Sequence, residues 1–258
     1  MFFHFRVLLH SIVFLLILEI FLNDSVSEFL ASLISVKPVL FFVLLGVFFL
    51  FILNNSLKIG KSWDMVFIPI LLYISSIGLS MFVDSDLKKH LFSALSFLVY
   101  YSCLLGIQRL KSSKKDQTAR GLIASTAAAS IFLFYSFVYG FYLNFTIPLW
   151  FVMLLFFSIT TLVSYQYFNL LKEDKKTVWK YSLIIGMVMM EISLVANFWP
   201  FGYLTTGATM LIFYYILWDL IQSYFLKKFS KRRVIANITI FGSLMVLVLA
   251  SSRWLPVV

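Results

Sequence analysis

The sequence has one cysteine, five prolines, ten glycines and three histidines, and only 12% of its 258 residues are charged. A lone cysteine, Cys103 in an apolar run, excludes an internal disulfide and any cysteine-rich metal site. So little charge excludes an unfolded chain, which needs high charge and low hydropathy to resist collapse. Glycine and proline are too sparse for a collagen-like repeat, and only Pro69 falls clearly inside an apolar run. Spans interrupted at matching points of two halves, as in many transporters, are therefore not expected. What fills the chain instead is apolar: 62% hydrophobic residues and a mean hydropathy of +0.97. Soluble domains run at roughly 45–50% apolar and about 25% charged. A globule of this size cannot hide so much apolar surface from water. The solvent for most of this chain is lipid.

A membrane-crossing helix takes about 20 apolar residues. Apolar runs fall at about 5–22, 38–53, 65–83, 91–109, 122–143, 147–171, 181–198, 203–222 and 234–253. Two of these divisions rest on turn chemistry: Asn144 and Pro148 break the uncharged stretch from Arg120 to Lys172, and Asn197 to Gly202 breaks the stretch from Tyr181 to Leu226. The expected fold is an all-α polytopic bundle of nine spans forming a single integral membrane domain over residues 1–258. Nine spans leave too few residues for a soluble domain.

Orientation follows from the basic residues of the short loops. The side holding Arg6, Lys58, Lys61, the Arg109–Arg120 loop, the Lys172–Lys180 loop and the Lys227–Arg233 loop collects 17 of the 21 Lys and Arg. Lys37, Lys88, Lys89 and Arg253 lie on the other. The N-terminus is expected inside and the C-terminus outside. Tryptophan agrees, with Trp63, Trp179 and Trp218 near inner helix ends and Trp150, Trp199 and Trp254 near outer ones. Glu19 inside the first apolar run argues for an anchor over a cleaved signal peptide. Ser25-Val26-Ser27-Glu28 has the form of a capping box, and Val26, Phe29, Leu30, Leu33 and Ile34 recur at helical spacing. A short amphipathic helix on the outer surface is expected there. The net charge of +10 sits mainly in three short inner loops without an aromatic platform, which suits anionic lipid head groups and not nucleic acid.

Glu191 carries the most chemistry. At 1.5 Å per residue it lies roughly 15 Å beyond Tyr181, near the bilayer midplane. An ionisable group at that depth is costly and points to function. Thr205, Thr206 and Thr209 return at similar depth on the next helix, where they can hydrogen-bond a protonated Glu191; Asn197 lies in the turn between. The site reads either as a proton, cation or substrate contact, or as a neutral acid joining two helices. His10 and Glu19 share the first helix but point to opposite faces, nine residues apart. The outer face carries Glu19, Asp24, Glu28, Asp84 and Asp86. Asp84 and Asp86 with His90 have ligand types for a divalent ion, although a solvated acidic loop is the plainer reading, and no metal or cofactor is expected. Asp219 sits near an inner helix end within reach of water. Small residues from Gly121 to Ala129 nominate the fifth helix as the bundle centre.

The segment from Glu191 through Asn197-Phe198-Trp199-Pro200-Phe201-Gly202 to Gly207 resembles an uncharacterised family of multi-pass inner-membrane proteins from small-genome bacteria. The resemblance implies that Glu191 and the outer turn belong to a shared pattern, in a bacterial cell membrane, and it supplies no catalytic residues. Three functions remain open. The first is a transporter or permease for a small or amphiphilic solute, with Glu191 as its polar site. The second is a structural or assembly subunit, with a membrane-protein partner or further copies of itself. The third is an enzyme acting on a lipid-linked substrate at the outer acids.

Overall fold

The computed structural model describes residues 2–23, 26, 38–60, 65–83, 85–113, 116–171 and 174–251. Among the described residues the chain is all-helical, without a strand. The helices are α1 (Phe2–Leu22), α2 (Pro38–Gly60), α3 (Phe67–Ser80), α4 (Asp86–Ser112), α5 (Gln117–Asn144), α6 (Leu149–Phe168), α7 (Lys175–Ala196), α8 (Tyr203–Phe225) and α9 (Lys231–Ser251). Each of the nine apolar runs corresponds to one of them. The helices overrun the apolar runs at their polar ends, because Asn54-Asn55-Ser56 continues α2 and Asp86–His90 opens α4. Seven are long and apolar enough to cross a membrane. The described apolar part of α2, Gly46–Gly60, and α3 are shorter. The expected surface helix from Ser25 to Ile34 lies outside the described residues except for Val26, whose N–H is accepted by Asn23 Oδ1 at 3.3 Å.

Two compact units divide the chain at Ser130 and Ile131, inside α5. In the first unit α1 buries Val7, Ser11, Phe14, Leu18 and Leu22, positions spaced by four and three residues. This face meets α4, where the Phe14 and Tyr100 rings stack at 4.3 Å. Alternating intervals of that kind suit helices crossing at a shallow angle. Although α3 has only 14 residues, ten are buried, including Tyr73, Ser75 and Ser76. A helix apolar on all sides belongs in an interior, and α3 occupies it here.

The second unit contains the later half of α5 with α6 to α9. Two glycines set how closely its helices approach. A side chain at position 186 on α7 would meet Thr161 and come within 2.9 Å of the Phe157 carbonyl oxygen of α6. One at position 207 on α8 would meet Ser136 of α5, its backbone nitrogen at 3.0 Å. Both contacts fix which face of each helix turns inward. α5 is the most buried of the seven long helices, but Gly121 and Ser125 are exposed. Its burial is concentrated from Ser130 to Gly140, where Tyr135 and Phe156 of α6 stack at 4.2 Å. Aromatic rings fill the interior there together with small residues such as Ser130, Ser136 and Gly140. Trp218 is likewise buried, with its ring 4.8 Å from Tyr167.

The turns before α6 and α8 fall where the sequence places them. Pro148 precedes α6 in extended conformation, and Gly202 does so before α8. The turn after α8 closes with Lys227 at a φ of 55°. The N–H of Lys228 reaches the Ser223 carbonyl at 2.9 Å and that of Lys227 reaches Tyr224 at 3.1 Å. This is the left-handed helix ending usually given to glycine.

Candidate functional site

The interior of the second unit is built from hydroxyl groups. On α5, the Tyr135 hydroxyl lies 2.6 Å from Thr160 Oγ1 of α6, and Tyr139 donates to the Ser193 carbonyl of α7 at 2.8 Å. One turn further along α6, Ser164 donates to the Tyr214 hydroxyl of α8 at 3.4 Å. Tyrosine suits these positions because its ring fills space while one hydroxyl at the tip reaches a neighbouring helix. Such bonds lock helix rotation where lipid, as apolar as the helices themselves, provides no force to do so. The sequence reading missed this column. Its signal was the four-residue spacing of Tyr135 with Tyr139 and of Thr160 with Ser164.

Glu191 stands outside the column. It is exposed on α7, about 8 Å from the helix's C-terminal end. Among the described residues no hydrogen bond or ion pair reaches it. Thr206 and Thr209 are buried, Thr205 is half-buried, and Thr209 Oγ1 donates to the Thr205 carbonyl at 2.9 Å. The bond expected between Glu191 and these threonines is not made. The reason is helix rotation: Gly186 must face α6, and five residues at 100° each carry position 191 roughly 140° away from that contact. Asn197 is half-buried in the C-terminal turn of α7.

The acid on α8 is partnered. Asn237 Nδ2 on α9 donates to Asp219 Oδ2 on α8 at 3.1 Å. Asp219 lies six positions before the end of α8 and Asn237 six after the start of α9, so the two are level, about 9 Å along each helix from the connecting turn. Tyr215 and Phe241 meet one turn further out, with ring centroids at 4.5 Å. Sequence depth alone held the signal for both contacts.

In the first unit, Glu19 Oε2 lies 3.6 Å from His90 Nδ1, joining α1 to the start of α4. His10 packs its ring edge against Phe51 and stays apart from Glu19. Asp86 lies 3.8 Å from Lys89 Nζ. Asp24, Glu28 and Asp84 lie outside the described residues. No group of three or more His, Cys, Asp or Glu side chains is placed to hold a metal ion among the described residues. In the α4–α5 turn, Asp116 accepts the Ala119 N–H at 3.2 Å and Arg109 Nε at 3.0 Å. The amide bond first, with the guanidinium beside it, holds this carboxyl below the usual carboxylate range.

No curated protein and no solved structure matches the chain. A family profile does, over residues 53–252, which takes in the C-terminal end of α2, all of α3 to α9 and the whole segment from Glu191 to Gly207. That match is far wider than the segment that carried the sequence resemblance. The chain belongs to the family described as protein of unknown function, DUF5656.

Proposed function

We propose that this protein is a multi-pass subunit of a membrane assembly, held in a bacterial cell membrane with its N-terminus inside, and that the α7 face bearing Glu191 is a protein contact. The observation that carries this reading is a carboxyl exposed on a span with no partner of its own. Hydrocarbon offers no hydrogen bond to such a group, and leaving it unsatisfied costs several kcal/mol, of the order of 3. A helix from another subunit removes that cost. The continuous course of α5 to α9 supports a scaffold, since no half-helix ends converge on an internal site among the described residues. Seven spans or nine give the same orientation, because leaving out the neighbouring helices α2 and α3 together exchanges no other loop between sides. The exposed Lys175, Lys176, Lys180, Lys227, Lys228, Lys231 and Arg232 then lie inside, against anionic lipid.

Transport of a small or amphiphilic solute is the second reading, favoured by the placement of Glu191 within the hydrocarbon zone. One experiment separates the two. With Cys103→Ser, a cysteine at position 191 is treated with membrane-impermeant thiol reagents in intact cells and in inverted vesicles. Protection from both sides, together with tolerance of Glu191→Gln in growth and complex recovery, is the result expected for an assembly subunit. Labelling from either side, with Glu191→Gln abolishing solute uptake, overturns it in favour of transport.

A further inference from the structure

The interior of the first unit holds polar groups that its own helices leave unbonded. They are Nδ2 of Asn55 on α2, the hydroxyls of Tyr73 and Ser76 on α3, and the hydroxyl of Ser93 on α4. All four residues are at most 4% exposed, and among the described residues none of these atoms has a hydrogen-bond partner. Short polar side chains in a helix commonly turn back onto their own backbone. Ser11 does so on the Val7 carbonyl at 2.9 Å, Ser80 on Ile77 at 2.7 Å, and Asn144 on Gly140 at 2.8 Å. Asn55, Ser76 and Ser93 do not, and the ring of Tyr73 carries its hydroxyl clear of its own helix.

Helix contacts bring these groups level. α3 packs against α1, α2 and α4. A Cβ at Gly60, where α2 ends, would lie 3.4 Å from that of Met65 and 3.1 Å from Ile107 of α4. Asn55 lies about 8 Å before the end of α2, and Tyr73 about 9 Å past the start of α3. Tyr100 is roughly 10 Å along α4 from Ile107, with Phe14 of α1 stacked on its ring. Ser76 lies about 6 Å before the end of α3 and Ser93 roughly 10 Å past the start of α4, within one helical turn of each other. Unlike Glu191, every one of these side chains is turned inward.

Buried polar groups that the chain leaves unbonded are met in folded proteins by ordered water. The chemistry here suits it. No Asp, Glu, Lys, Arg or His is buried among the described residues of this unit, so an ion would stay uncompensated. Asn55 Nδ2 can only donate, whereas the three hydroxyls donate or accept, and water serves both. We propose that the first unit binds ordered water between α2, α3 and α4, bridging the Asn55 amide to the Tyr73 hydroxyl and continuing to Ser76 and Ser93. This site is independent of the reading of Glu191.

The test uses the full chain in native membranes. Brief X-ray radiolysis splits bound water into hydroxyl radicals, which oxidise the side chains beside them, and mass spectrometry locates the products. Tyr73 is expected to oxidise several-fold faster than Tyr135, which is as deeply buried but has its hydroxyl bonded to Thr160. Asn55→Leu should slow the oxidation of Tyr73. Ser75→Ala should not, because the Ser75 hydroxyl is already bonded to the Leu71 carbonyl. Tyr73→Phe provides a second readout. Removing a hydroxyl held by water lowers the denaturation midpoint in detergent, whereas removing an unsatisfied one raises it. Oxidation of Tyr73 no faster than that of Tyr135, or a raised midpoint in Tyr73→Phe, overturns the water site. The comparison of Tyr73 with Tyr135 needs no substitution, so it decides the matter even where a variant fails to fold.

Discussion

The two acids inside the spans of the second unit are placed in opposite settings. Asp219 lies against α9 and receives the Asn237 amide, while Glu191 turns away from every helix of its own unit and has no bond. Both are carboxyls, and both interrupt otherwise apolar helices. Depth does not separate them, since each lies about 8 or 9 Å from a helix end. What separates them is rotation, set for α7 by Gly186 against Phe157 and Thr161, and for α8 by Gly207 against Ser136. The acid with a partner on its own chain is satisfied by folding alone; on the reading proposed above, the one without is satisfied by association.

The largest expected effect comes from disturbing that rotation. In Gly186→Ala the new methyl group has the Phe157 carbonyl within 2.9 Å, and backbone cannot yield as a side-chain tip can. A loss of about 3 kcal/mol is expected, read as a lowered denaturation midpoint in detergent. Breaking the partnered acid comes next. Asn237→Leu leaves Asp219 without its amide and should cost about 1–2 kcal/mol. Asp219→Asn, which keeps an acceptor oxygen in place, should cost less. By contrast Glu191→Leu should leave the stability of the isolated chain within about 0.5 kcal/mol, because its side chain is bonded to nothing within the fold. An equal loss from Asn237→Leu and Glu191→Leu would erase the comparison.

The helices themselves were legible in the sequence because hydropathy reports length, and length is what a bilayer demands of a span. The turns at Pro148 and Gly202 were legible because proline fixes the backbone and glycine frees it locally. Helix rotation was not. In water the apolar face points inward, but in lipid Met187 and Leu194 on the outside are as apolar as Ile185 and Met189 on the inside. Depth arithmetic therefore placed Glu191 level with Thr209 and inferred a bond that the angle forbids. The same arithmetic puts Asp219 level with Asn237, and there the angle permits it. The signal that discriminates the two is the tight contact at Gly186 and Gly207, which emerges only once helices are packed.

Two smaller predictions sharpen the contrast at its edges. Lys227 holds the left-handed position in the turn that returns α9 alongside α8 and so sets the Asp219–Asn237 register. Lys227→Gly should stabilise the chain by roughly 0.5–1 kcal/mol, measured by the same denaturation, with the register unchanged. Asp116 has its carboxyl lowered on folding, so its contribution is present above the ordinary carboxylate range and is lost as pH falls below about 4. The protection factor of the Ala119 amide should fall on acidification, and Asp116→Asn should remove that pH dependence.

The central claim is that Glu191 is bare in the isolated chain and covered in the membrane. A lipid-soluble carbodiimide, which modifies protonated carboxyls in apolar surroundings, tests this directly when the adduct at Glu191 is quantified by mass spectrometry. The account predicts rapid modification of the monomer in dilute detergent and protection in native membranes, with Asp219 slow in both. Equal modification of Glu191 in detergent and membrane, or none in either, would contradict it.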